Sequence, residues 1–245
     1  MLRPAGTPTP IESSTPQDVV ETINEALVKT LPATVQAGPG LRASWVTKRI
    51  LDATIALTAL LLLLPLLLFI ALLIWGSDGR SPIFRHKRLG RYGRPFGCLK
   101  FRSMVPDSDT VLTRHFAEHP EARAEWEASY KLTHDPRVTA LGQVLRKTSL
   151  DELPQLWNVL CGEMSLVGPR PIVQAEVVRY GADFITCFSV PPGLTGLWQV
   201  SGRSDTGYAE RVALDCAYAS QWSLARDLGI LLKTVPAVLS QRGSR

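Results

Sequence analysis

The chain has 245 residues, 27 Lys+Arg against 22 Asp+Glu, a net charge of +5 and 45% hydrophobic residues. Its charge is unevenly spread: residues 41–102 carry 11 basic and two acidic groups, whereas the segments before and after are each net acidic by two. With one apolar run inside that basic stretch, the pattern excludes a many-span transporter, a disulfide-rich secreted module and a wholly disordered chain.

Residues 1–40 hold six of the 18 prolines and no aromatic residue. Too little apolar surface is available to offset ordering, so a disordered tail is expected, with a short helix around Pro16–Lys29 as its one element. No secretory signal is expected at the start, because Pro and Thr stand where an apolar core would be needed. The four cysteines, Cys98, Cys161, Cys187 and Cys216, form no Cys-x-x-Cys pair. Reduced thiols in a cytosolic compartment are therefore expected.

Residues 53–77 contain no Asp, Glu, Lys, Arg or His, and 20 of the 25 are hydrophobic. As one helix they would reach roughly 37 Å, enough to cross a bilayer core of roughly 30 Å. Pro65, however, stands at the midpoint, where it removes a backbone donor. Basic residues also flank both ends: Arg42, Lys48 and Arg49 before, Arg80, Arg85, Lys87, Arg88, Arg91 and Arg94 after. Basic residues favour the cytoplasmic side, so a helix that enters, breaks at Pro65 and returns accommodates both flanks. The alternative is a straight span that exports one of them.

Ser81–Phe101 reads as a β-hairpin turning at Gly90-Arg91-Tyr92-Gly93. Asp107–Leu132 is helical, charged and interrupted at Pro120. Two later amphipathic helices are expected at Tyr208–Trp222 and at Leu224–Leu239, the second begun by Ser223 as N-cap. The fold class is thus α+β and predominantly α-helical, a monotopic membrane protein with a re-entrant Pro-broken helix, a small hairpin and interfacial amphipathic helices. It divides into a tail (1–40), a membrane-inserted helix (41–79) and a catalytic domain (80–245).

Three constellations could carry chemistry. His115-x-x-Glu118-His119 fits an inverted zinc-peptidase pattern, but Pro120 follows at once and acidic residues surround it. Ser149-Leu150-Asp151-Glu152 reads as a capping box that starts a helix, or as adjacent carboxylates holding a divalent cation and supplying an oxygen nucleophile beside Arg146 and Lys147. Gly168-Pro169-Arg170-Pro171 fixes the backbone on both sides of a guanidinium, a geometry suited either to phosphate or to tying loops together. Lys100 and Arg102 add cations at the end of the hairpin. No stacking platform accompanies these basic groups, so nucleic acid is not expected as a partner, whereas anionic lipid is.

These pieces resemble the monotopic bacterial sugar transferases, the polyprenyl-phosphate hexose-1-phosphate transferases. The resemblance lies in Lys48-Arg49-Ile50-Leu51-Asp52, Lys100-Phe101-Arg102-Ser103-Met104, Asp135-Pro136-Arg137-Val138-Thr139, the run Leu145–Pro171, and Pro192–Arg203. It covers roughly residues 45–240 in order and is most similar to the short galactosyl-phosphate transferases that initiate exopolysaccharide synthesis in rhizobia. It implies transfer of hexose-1-phosphate, galactose first, from a UDP-sugar to undecaprenyl phosphate with release of UMP. The resemblance assigns Asp151 as nucleophile, through a covalent phosphosugar intermediate, and Glu152 as its helper. Mg²⁺ is then expected on Asp151 and Glu152. Lys100, Arg102, Arg146, Arg170 and Arg203 are the expected substrate-binding residues. The site would face the cytoplasm from the inner (plasma) membrane. An inactive assembly protein of the same fold, or a zinc peptidase using His115, Glu118 and His119, are the alternatives. Oligomeric state is left open, a homodimer being one option.

Overall fold

The computed structural model describes residues 39–129, 132–202 and 207–239. The tail, its expected helix at 16–29, and Arg203 therefore lie outside the described residues, apart from the tail's last two positions. The chain is mostly helical. A long apolar helix α1 (Pro39–Asp78) leads into an antiparallel hairpin, β1 (Ile83–Leu89) and β2 (Pro95–Phe101). Charged helices α2 (Ser108–Glu118) and α3 (Pro120–Ser129) follow, then α4 (Ala140–Lys147), α5 (Gln155–Cys161) and strand β3 (Ser165–Val167). Short helices α6 (Val177–Tyr180) and α7 (Asp183–Cys187), strand β4 (Gly193–Thr195), α8 (Leu197–Ser201), α9 (Tyr208–Ser220) and α10 (Leu224–Leu239) complete it.

Helix α1 differs from expectation at its midpoint: helix runs through Pro65 without interruption. Proline removes one N–H donor and crowds one carbonyl, while the bonds on either side persist. In a segment this apolar the remaining ladder holds, so the expected break at Pro65 is not an interruption of the helix. The two ends of α1 meet different parts of the same body. Lys48, Asp52 and Ala56 are buried near the first end, and Ile70 and Ile74 near the second; no residue from 57 to 69 is buried. Ile70 and Ile74 pack with Phe101 and Leu145. At the first end, Arg49 donates to the carbonyls of Val159 and Leu160, both at 2.6 Å, at the C-terminal end of α5. Asp78, the last residue of α1, accepts two bonds from Arg102 at 2.5 and 2.6 Å.

The hairpin register pairs Ile83 with Phe101 and Leu89 with Pro95. Its turn is a 3-10 segment with Tyr92 at φ 59°, between Gly90 and Gly93, the latter also at positive φ. Asn158 of α5, 1% exposed, accepts from the Leu99 amide at 2.9 Å and donates to the Gly97 carbonyl at 2.9 Å, so a side chain takes the place of a third strand along β2. This fixes the hairpin against α5 and, with it, Lys100 against the turn that follows α4. The main core gathers Cys98, Leu156, Val159, Met164, Leu166, Val167, Val190 and Tyr218 around that junction.

Strands β3 and β4 form a two-stranded parallel pair that periodicity did not reveal. Three residues per strand are too short to alternate legibly. Here the backbones nearly touch: a Cβ on Gly193 would overlap Gly168, and one on Gly168 would overlap the Pro191 carbonyl. The Gly168 amide donates to Thr195 O at 2.9 Å and the Gly193 amide to Pro169 O at 2.8 Å. This crossing fixes the chain just before Arg170.

The expectation of four reduced thiols fails at two positions. Cys187 and Cys216 are disulfide-bonded and tie α7 to α9, while Cys98 and Cys161 are free. The partners are 29 residues apart and on separate helices, so spacing alone carried no sign of the pairing. The C-terminal helices follow expectation. Ser223 accepts from the Arg226 amide at 3.2 Å at the start of α10, and α10 exposes Leu228, Leu232 and Val235 on one face.

Candidate active site

The Asp151–Glu152 pair sits on a 3-10 turn, Leu150–Glu152, rather than in the first turn of a helix. Ser149 has φ 58° and makes no side-chain cap, so the capping-box reading does not hold. Helix α5 begins only after Pro154, whose fixed φ and missing N–H suit a helix start. The positive φ at Ser149 turns the chain sharply out of α4. As a result Asp151 points inward, 7% exposed, while Glu152 remains partly open.

Three cations surround the pair, and a fourth lines the pocket beside Glu152. Lys100 Nζ lies 2.6 Å from Glu152 Oε1 and 3.6 Å from Asp151 Oδ2. Arg170 Nη2 reaches the same Glu152 oxygen at 3.4 Å. Arg146, on the last turn of α4, donates from Nε to Ser103 Oγ at 2.9 Å and acts on Asp151 through its charge. Arg88 of β1 lines the same pocket, with Cys98, Lys100, Glu152, Gln155, Arg170 and Pro171.

The two carboxylates are electrostatically distinct. Burial raises Asp151 above the ordinary carboxylate range, partly offset by Lys100. Burial pushes Glu152 the same way, but Lys100 and Arg170 outweigh it and hold its carboxyl down at about 2. Glu152 is thus a fixed anion that organises two cations, and Asp151 is a poorly solvated carboxyl with one oxygen facing Lys100. Neighbouring acids pushed apart in this way are a common basis for separate roles in one reaction.

Residues 43–241 match the family described as bacterial sugar transferase. The chain belongs to that family. A UDP-galactose-lipid carrier transferase of Erwinia amylovora is 52% identical over 197 residues, covering 80% of this chain and 41% of that protein. Exopolysaccharide production protein ExoY of Rhizobium meliloti is also 52% identical over 197 residues, covering 80% of this chain and 87% of its own length. The undecaprenyl-phosphate galactose phosphotransferase of Salmonella typhimurium is 48% identical over 213 residues, 86% of this chain and 44% of that protein. This bacterial sugar transferase therefore spans nearly all of the rhizobial relative and less than half of the other two.

Of the expected site residues in this sugar transferase, Asp151, Glu152, Lys100, Arg146 and Arg170 come together. Arg102 does not: it is committed to Asp78 and to the Ser81 carbonyl at 3.0 Å, and serves the junction between α1 and the hairpin. Residues two apart on a strand share a face, but β2 ends at Phe101, so Arg102 leaves the strand and turns away from Lys100 to Asp78. Arg203 lies outside the described residues. The zinc pattern does not assemble. His119 ends α2 and pairs with Glu121 at 3.2 Å, and no group of three His, Cys, Asp or Glu suited to a metal occurs among the described residues. Arg88 and Gln155 were missed as site residues. Arg88 was counted only as flanking charge, although its place on the strand facing Lys100's strand was a signal available from the hairpin.

Proposed function

We propose that this protein moves hexose-1-phosphate, galactose-1-phosphate first, from a UDP-sugar to undecaprenyl phosphate, releasing UMP, as the initiating membrane step of exopolysaccharide synthesis. The observation that carries the reading is the buried Asp151 carboxyl, one residue from the fixed anion Glu152 and surrounded by Lys100, Arg146 and Arg170. The names of the relatives supply the galactose and the lipid carrier.

In this mechanism a carboxylate oxygen of Asp151 attacks the phosphorus that bears the sugar. The bond from that phosphorus to the bridging oxygen breaks, and UMP leaves with the electron pair. An aspartyl-phosphosugar remains. An oxygen of undecaprenyl phosphate then attacks the same phosphorus, the bond to Asp151 breaks, and the carboxylate is restored. Poor solvation leaves the Asp151 oxygen less hindered by water. Lys100 and Arg170 stand where phosphoryl charge must be met by preorganised cations.

Asp151 Oδ2 and Glu152 Oε1 both lie toward Lys100 Nζ, at 3.6 and 2.6 Å. Two hard carboxylate oxygens beside a diphosphate are a donor set that suits Mg²⁺, and these residues would hold it. The ion would supply charge neutralisation at the phosphates when bound.

The membrane arrangement follows from α1. In a spanning helix the two ends are separated by a hydrocarbon core of roughly 30 Å, yet here both ends are bonded to one catalytic body. Residues 57–69 are free of buried positions between them. This supports a re-entrant segment with both ends on the cytoplasmic face of the plasma membrane, where a water-soluble donor meets a lipid-borne phosphate. The exposed apolar face of α10 would add contact with the interface.

The test is release of radiolabelled UMP from a panel of UDP-sugars with and without polyprenyl phosphate. Net transfer dependent on the lipid, with UDP-galactose preferred, is the expected result. No release from any member of the panel contradicts it.

A further inference from the structure

The face of the hairpin that supplies Lys100 also carries an exposed phenyl ring that neither the core nor the carboxylate pair uses. Antiparallel pairing sets Phe84 opposite Lys100, His86 opposite Cys98 and Arg88 opposite Phe96. Directly paired residues project to the same side of a sheet, with Cβ atoms about 4.5–5.5 Å apart. The stem of Lys100, whose ammonium reaches Glu152 and Asp151 at 2.6 and 3.6 Å, therefore rises beside Phe84. Yet Phe84 is 51% exposed, whereas Phe101 at the end of β2 is 3% exposed and belongs to the core. Among the described residues its ring meets one other, that of His86, at 5.7 Å between centroids.

This face changes character along β1. Phe84 is exposed, His86 is partly buried, and the Arg88 side chain is only 17% exposed. Burial, with the cations Arg88 and Lys100, brings His86 down to about 4, so the ring beside Phe84 is neutral at physiological pH. The strip is thus apolar at one end and cationic at the other. Its apolar end adjoins the end of α1. Ile83, on the opposite face, pairs with Phe101, which packs with Ile70 and Ile74. Arg102 ties Asp78, the last residue of α1, to the hairpin, and its amide donates to the Pro82 carbonyl at 2.8 Å. In the re-entrant arrangement Phe84 therefore stands where α1 leaves the bilayer, and the strip leads from there to the carboxylates.

The occupant of such a strip follows from the chemistry of the acceptor. A polyprenyl phosphate has its charge at one end and unbroken hydrocarbon behind it. To reach phosphorus on Asp151 its head must rise out of the bilayer, drawing the nearest isoprene units with it. Hydrocarbon pulled toward water loses the burial it had among the lipid tails, and an apolar contact beside Lys100 restores part of it. A bulk phospholipid carries ester groups at that point of its chain, which a phenyl ring does not suit.

We infer that Phe84 binds the isoprene units next to the acceptor's phosphate and is a substrate-binding residue that favours a polyprenyl chain. The inference rests on the transferase reading above.

The test uses the full chain in nanodiscs and two readouts: the burst of UMP from UDP-galactose without acceptor, and steady-state transfer to polyprenyl phosphate. Phe84→Ala removes the ring and Phe84→Leu keeps an apolar side chain. Ile83→Ala removes an exposed apolar group one residue away on the opposite face. Loss of an aromatic contact corresponds to about tenfold in affinity. Phe84→Ala is expected to raise the KM for polyprenyl phosphate by that factor. The UMP burst, and the KM for UDP-galactose at saturating acceptor, should stay within about twofold. Phe84→Leu should fall between, and Ile83→Ala should leave the acceptor KM within about twofold of wild type. An unchanged acceptor KM in Phe84→Ala overturns the inference. Equal rises in Phe84→Ala and Ile83→Ala also overturn it, because the ring then only seats the hairpin in the membrane. A lost UMP burst in Phe84→Ala overturns it by placing the ring at the donor. All three results leave the transferase reading intact. Wild-type protein that releases no UMP, with or without acceptor, contradicts the transferase reading and the inference with it.

Discussion

Lys48 and Asp227, 179 residues apart in the chain, meet at 2.6 Å inside the protein. Lys48 also donates to the Val167 carbonyl at 3.2 Å and faces Asp52 at 3.6 Å, while Asp227 accepts from Tyr218 and Trp222. Asp52 in turn accepts from Ser165 at 2.7 Å. One polar cluster thereby joins the membrane helix, β3 and both C-terminal helices. Removing one partner of a buried pair leaves the other charge uncompensated, at a cost of about 3–5 kcal/mol. Asp227→Ala should lower thermal stability in detergent by that order, and Asp227→Asn by less. An unchanged melting temperature for Asp227→Ala contradicts the anchoring role.

Asp215 offers a pH test away from the site. Burial lifts its carboxyl to about 6, against 3.8 for an ordinary aspartate, despite the hydrogen bond from Tyr180 at 2.8 Å. The folded state therefore holds this proton more tightly than the unfolded state. Its contribution to stability is present below pH 4 and is lost as pH rises to about 6, by about 3 kcal/mol in all. Relative to Asp215→Asn, the wild type should lose stability between pH 4 and pH 6 and change little above that. Melting of both proteins across that range checks it; a constant difference contradicts the buried acid.

Thiol tagging reads the Cys187–Cys216 bond directly. In unfolded, unreduced protein, maleimide should modify Cys98 and Cys161 alone, and after reduction all four. Four tags without reductant contradict the pairing.

Much of the architecture was legible because it rests on local rules. The hairpin glycines, Pro120 and the Ser223 cap each announce themselves within a few residues. The long helix was legible too, but the effect of Pro65 was not, since helix continuity depends on the surrounding ladder rather than on one donor. Asp151, Glu152 and Arg170, singled out by adjacent charge, flanking prolines and the family resemblance, do come together in the fold. Arg102 was misplaced as a substrate ligand because the end of β2 at Phe101 and the ion pair to Asp78 decide its direction, and neither is visible in a run such as Lys100-Phe101-Arg102. Arg88 reaches the pocket only through strand pairing and the packing of β1 beside Arg170. Such long-range meetings leave no periodic trace.

The topology of α1 can be read by cysteine labelling at engineered positions 44 and 80 in intact cells. Both should be shielded from an impermeant reagent added outside and reactive in inverted vesicles. Labelling of one from each side establishes a spanning helix and contradicts the re-entrant reading.

The central claim is that Asp151 carries the phosphosugar. Purified protein incubated with UDP-galactose in the absence of lipid acceptor should gain the mass of one hexose phosphate, located by peptide mass spectrometry at Asp151, and should lose it on addition of polyprenyl phosphate. Asp151→Asn, folded by circular dichroism, should gain none and transfer none. An adduct on another residue, or near-normal transfer by Asp151→Asn, would contradict the account.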